Sequence, residues 1–154
     1  MDHTGFLTGN LTLDLAILAW FAAQVLKTLL HWVTNRNLDL RKMIGSGNMP
    51  SSHSATVCAM VVATGRYCGV SSPIFAIAAV LSIIVMYDAM GVRYETGEQA
   101  KVLNRMFTEW MDQGFEQFQL PHGKKLKEMV GHTPIEVLTG AALGIVLGFA
   151  MPMV

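Results

Sequence analysis

Met49-Pro50-Ser51-Ser52-His53-Ser54 opens an apolar run that continues to Tyr67, and Gly131-His132-Thr133-Pro134-Ile135-Glu136 opens another that continues to Val154. Both stretches place a histidine among residues that start helices. Ser and Thr cap helix N-termini, Pro suits the first helical position, and Glu three residues after Thr completes a capping box. Two apolar helices are therefore predicted, each opening with a histidine among backbone N–H groups that lack an intrahelical acceptor. Two such ends, set side by side, would cradle a tetrahedral anion. The pairing points to phosphoryl chemistry.

The chain around them has the composition of a membrane protein. Of 154 residues, 52% are hydrophobic and 14% charged, with a mean hydropathy of +0.41. Soluble domains carry about 25% charged residues. The length suits one domain, 1–154, the net charge is zero but unevenly distributed, and no nucleic-acid partner is expected. Apolar segments at about 11–33, 52–67, 74–90 and 135–154 are the candidate spans, the first long enough for a hydrocarbon core about 30 Å thick. Met1-Asp2-His3 offers no basic start to a cleaved signal peptide. Cys58 and Cys68, ten residues apart on one helix, would lie roughly 15 Å apart, too far for a bridge, and read as small core residues.

Between the third and fourth segments, Ala100, Leu103, Phe107, Trp110, Met111 and Phe118 recur at helical spacing among charged residues. They predict an amphipathic region at about 97–130, lying on the membrane surface or against the bundle. Pro121-His122-Gly123 breaks it, and Lys124-Lys125-Leu126-Lys127 is expected to start a second short helix. The fold class is accordingly all-α: an integral membrane bundle of about four transmembrane helices with an amphipathic helical insertion before the last. Gly140, Gly144 and Gly148 form a ridge that admits another helix closely, within the chain or in a homodimer.

Alternating the spans gathers Arg36, Arg41, Lys42, Arg93, Lys101, Arg105, Lys124, Lys125 and Lys127 on one side and leaves Arg66 on the other. The positive-inside rule puts the first side in the cytoplasm and both termini outside, in a cell inner membrane. The same alternation brings Lys27, Arg36, His53, Asp88, Arg93, His132 and Glu136 to one mouth. Asp88 inside an apolar run calls for a partner, Lys27 or Arg93.

Pro50-Ser51-Ser52-His53 resembles the Pro-Ser-Gly-His motif of type-2 phosphatidic acid phosphatases, whose superfamily includes vanadium haloperoxidases. Together with Gly131-His132-x-Pro134-x-Glu136-Val137 and Asp88-x-x-Gly91-Val92-Arg93, it is similar to the divergent branch of that superfamily, over about Lys27 to Gly144. The resemblance implies a lipid phosphate substrate and no cofactor or metal. It makes His132 the nucleophile, Glu136 the residue that orients and stabilises its imidazole, and His53 the general acid and then base. Lys27, Arg36, Arg93, Ser51 and Ser52 would bind phosphate, with Asp88 in support. Arg41 or Lys42 is an alternative to Arg36, because Asn37 replaces the proline that follows the motif's arginine. Arg93 precedes His132 by 39 residues, far more than the family pattern, and Glu136 stands where an Asp is expected.

Simpler roles exist for the same residues. Ser51 or Ser52 caps a helix, Glu136 completes a capping box, and Lys27 snorkels. His3, His31 and His122 read as surface or interfacial residues, and the lysines at 124–127 as facing lipid headgroups. The altered motif spacing and the glycine ridge motivate an alternative function, a non-catalytic membrane protein that binds anionic lipid or a partner protein.

Overall fold

In a computed structural model that describes residues 5–36, 49–113, 125–128 and 130–152, five helices carry the chain. They are α1 (Leu11–Asn35), α2 (Ser52–Cys68), α3 (Pro73–Met90), α4 (Val92–Asp112) and α5 (Pro134–Ala150). Readings placed on Met1 to His3, Arg41, Lys42, Phe118, Pro121 to Gly123 and Lys124 lie outside the described residues. Local chemistry sets the helix starts. The side chains of Asn10, Ser51, Ser72 and Thr133 each accept a first-turn N–H, and Pro73 and Pro134 occupy first-turn positions.

α2 is the central helix, packed against α1, α3 and α5. Its neighbours run in defined directions. Ser82 Oγ donates to the Val57 carbonyl, and Gly65 lies against Phe75, so α3 is antiparallel to α2. Gly140 faces Ser51, Gly144 faces Ala55 and Gly148 faces Ala59 and Val62, so α5 runs parallel to α2. A Cβ on Gly140 or Gly144 would collide with the carbonyl oxygen of Ser51 or Ala55. The glycine ridge thus serves an intrachain contact. α2 is the helix that covers it at all three positions.

Small residues fill the interior, with Ala19, Ala23, Ala55 and Ala59 fully buried together. Large apolar side chains such as Trp20, Ile77, Ile83, Ile84, Val146 and Phe149 point outward. Close backbone approach through small residues is the packing mode of helices in lipid, where dispersion and not water exclusion holds helices together. By length and composition, Leu11–Asn35 and the Pro73–Asp112 stretch of α3 and α4 can cross a membrane, and α5 is a shorter apolar helix. Cys58 is buried as expected, but Cys68 is exposed at the end of α2, outside the core.

The amphipathic region also departs from expectation. α4 begins at Val92, directly after Gly91, and not near residue 97. Residues 125–128 form no helix. The Asn104 side-chain amide explains this: it donates to the Leu126 carbonyl (2.9 Å) and accepts from the Leu126 N–H (2.8 Å), pairing groups a helix would need. Its Nδ2 also donates to Glu128 (2.8 Å). Gly97, one face with Ala100 and Asn104, leaves space for the carbonyls of Glu128 and Val130. The returning chain is thereby laid along α4.

Candidate active site

Parallel packing of α2 and α5 sets their N-termini side by side. The Ser51 N–H donates to the Glu136 carbonyl at 2.9 Å, stitching the cap of one helix to the first turn of the other. The N–H groups of Ser52 and His53 have no acceptor among the described residues, as expected in a first turn.

His132 is fixed from behind. Gly131, at φ 86°, adopts the left-handed conformation, and a Cβ there would strike the backbone of Arg93 and Tyr94. The next residue's N–H donates to the Ala89 carbonyl in the last turn of α3 (2.9 Å). His132 is 3% exposed and its Nδ1 lies 3.1 Å from Glu136 Oε2. That same oxygen accepts the Thr133 N–H at 3.1 Å, so Glu136 completes the capping box and holds the imidazole at once. With Nδ1–H donated to the carboxylate, Nε2 carries the lone pair.

The exposed His53 ring meets the His132 ring edge to face, with centroids 6.1 Å apart and planes at 62°. Lys27, 1% exposed on α1, and Arg93 lie close enough to act electrostatically on both histidines. Burial holds the protonation of His132 below the ordinary histidine value of 6.5, helped by the Lys27 and Arg93 charges and opposed by Glu136.

The remaining expected site residues divide. Asp88 pairs with Arg93 (Nε to Oδ2, 2.5 Å), which answers the choice between Arg93 and Lys27. Although Arg93 lies 39 positions before His132, the Gly131 contact brings that backbone beside the site. Ser51 is fully buried, and its hydroxyl takes the capping role, accepting from the Ser54 N–H and hydroxyl. Ser52 is buried on the first turn. Arg36 ends α1 in a left-handed conformation, exposed, and its side chain contacts no site residue among those described. Gly97 and Asn104, which guide the chain back to His132, were not singled out by motif. Their only sequence signal is small or amide residues on one face of a charged helix.

Helical among its described residues, with a small-residue interior, a large apolar exterior and a histidine pair at two parallel helix starts, the chain has the build of a membrane protein. The chain belongs to the divergent PAP2 family, whose model matches residues 8–147. It is 38% identical over 144 residues to the uncharacterized membrane protein YuiD of Bacillus subtilis, an alignment covering 90% of this chain and 91% of that protein. No solved structure matches the chain.

Proposed function

We propose that the protein is a membrane phosphatase that hydrolyses a lipid phosphate monoester or pyrophosphate through a phosphohistidine. One observation carries this reading: His132 has one ring nitrogen on Glu136 and its ring beside that of His53. His132 Nε2 attacks phosphorus, the bond from phosphorus to the leaving oxygen breaks, and His53 gives that oxygen its proton. His53 then takes a proton from water, the resulting hydroxide attacks phosphorus, and the P–N bond breaks to release phosphate. Lys27, Arg93 and the free N–H groups at the start of α2 offset the charge on the phosphoryl oxygens, and Asp88 steadies Arg93. No step is routed through a metal.

Four spans, α1, α2, α3 and α5, cross the cell membrane in this reading, with the site mouth on the cytoplasmic side and α4 along the surface. A lipid substrate keeps its tail in the bilayer while its phosphate enters the cradle.

Purified protein offered phosphatidic acid, phosphatidylglycerophosphate and prenyl phosphates should release phosphate, inhibited by vanadate and lost in His132→Ala and His53→Ala. Unchanged release by His132→Ala rejects the mechanism. The near-complete burial of His132 favours the second reading, an anionic-lipid or protein binder without turnover. Lipid binding with no phosphate release from any ester would establish it.

A further inference from the structure

Arg93 stands beside the backbone that leads into His132, yet little else fixes the helix that carries it. Among the described helices, α4 packs only against α3. The two join at Gly91, whose φ of −99° and ψ of −95° lie outside helical geometry, so α3 and α4 are not one rigid rod. The second tie is Asn104. Its side chain is 4% exposed and closes three hydrogen bonds on the returning chain, to the Leu126 carbonyl, the Leu126 N–H and the Glu128 carboxylate. Asn104 follows Arg93 by eleven residues, about 16 Å along α4. The five steps from Leu126 to Gly131 reach at most about 18 Å. The returning segment therefore has little slack between Asn104 and the place where Gly131 meets Arg93 and Tyr94.

We infer that Asn104 is a positioning residue: by clasping the segment that leads into α5, it holds the first turn of α4, and with it Arg93, in register with His132. The clasp supplies in space the arginine–histidine pairing that 39 positions of separation deny in sequence. Without it, α4 pivots at Gly91 and carries the guanidinium away from the phosphate cradle, while His132 stays anchored through Ala89 and Glu136. Asn104 acts only through these segments and is not a catalytic residue. The kinetic consequences rest on the phosphatase reading; the registration of Arg93 against His132 does not.

The test is a double-mutant cycle on the purified full-length protein with phosphatidic acid as substrate. Losing a charge-assisted hydrogen bond to a phosphoryl oxygen costs roughly ten- to a hundredfold. Arg93→Ala should lower kcat/KM by that factor and weaken vanadate inhibition. Asn104→Ala should lower both in the same direction, and the double variant should match Arg93→Ala alone, because an arginine already removed cannot be misplaced. Arg105→Ala, which breaks only the exposed pair with Glu109 on the same helix, should match wild type. Additive losses in the double variant, or wild-type turnover by Asn104→Ala, overturn the inference. Should Asn104→Ala fail to fold, Glu128→Ala removes one of the three bonds; it should lose about two- to tenfold and be equally silent in the Arg93→Ala background.

NMR titration of the labelled histidine rings separates the two proposals, since it needs no turnover. The Arg93 charge helps to hold protonation of His132 below 6.5. Arg93→Ala and Asn104→Ala should each raise it, the double variant no further than Arg93→Ala, with the His31 signal on α1 unchanged as the control. That pattern in a protein that releases no phosphate sustains the positioning role and sinks only the phosphatase reading. No shift of His132 in Asn104→Ala sinks the positioning role, whatever the protein hydrolyses.

Discussion

Alanine substitutions along the glycine ridge test the parallel docking of α2 and α5. At Gly140 and Gly144 the added carbon meets the carbonyl oxygens of Ser51 and Ala55, main-chain atoms that cannot rotate away. Overpacking costs about 1–3 kcal/mol, and a backbone obstacle belongs at the upper end. Alanine's better helix propensity returns about 1 kcal/mol. The net loss is then about 2 kcal/mol at each position, or a fall in Tm of about 4–8 °C for a chain of this size. At Gly148 the nearest atoms are Val62 Cβ and Cγ1, a stiff branched side chain tied to its main chain, so alanine costs stability there too, but less than against the carbonyl oxygens. Activity should follow a different order. Gly140 touches the Ser51 cap, whereas Gly148 lies eight residues further on, about 12 Å along the helix. A displacement of about 1 Å at the reacting groups can cost 10²-fold in rate. Gly140→Ala should therefore lower kcat most, Gly144→Ala less and Gly148→Ala least. Thermal unfolding in detergent and phosphate release on the same preparations read both orders. If Gly140→Ala and Gly144→Ala match wild type in Tm, or Gly148→Ala is the most damaging, the close parallel contact is wrong.

Glu136→Gln should preserve the helix start, since Gln also completes a capping box, yet lower kcat by about 10²–10⁴-fold because the imidazole loses its anionic partner; equal losses of Tm and rate would mean Glu136 only caps. Because His132 protonates below 6.5 when folded, the neutral nucleophile persists under mild acid, and the acid limb of kcat/KM should fall below pH 6.5; a limb above that value counts against His132 as nucleophile. The sign for stability is the same: its contribution is complete above about pH 6.5 and is lost as pH falls from there through the folded value. Trp110 packs edge to face with Phe107 on the apolar side of α4 (5.9 Å between centroids), so in a Trp20→Phe, Trp32→Phe background its fluorescence should be quenched by lipids brominated near the headgroup. Quenching only by aqueous iodide would remove α4 from the membrane surface.

Much of the local structure was legible before any coordinates. Ser51, Ser72-Pro73 and Thr133-Pro134-Ile135-Glu136 fix three helix starts through hydrogen bonds made within a few residues, so neighbours in sequence suffice to specify them. Span alternation likewise placed the starts of α2 and α5 on the same side. The amphipathic helix was recognised, but its start was misplaced, because Val92 and Arg93 continue directly from α3 across Gly91 with no polar break. The expected helix at 124–127 failed for a reason the segment itself does not contain: its described backbone is claimed by Asn104, 22 residues earlier at Leu126.

By itself, the sequence determined where the capped helices start, which faces are small or apolar, and which two histidines begin helices. Only the tertiary structure decided what covers each face. Glycine spacing defines a ridge, but whether α2 or a second chain fills it depends on which helices pack together. Arg93 stands beside Gly131 because the returning chain packs against the start of α4, whereas its pairing with Asp88 is made locally, across the α3–α4 junction. Periodicity and capping are short-range and can be read along the chain, whereas a contact between distant segments is set by the packing of the whole bundle.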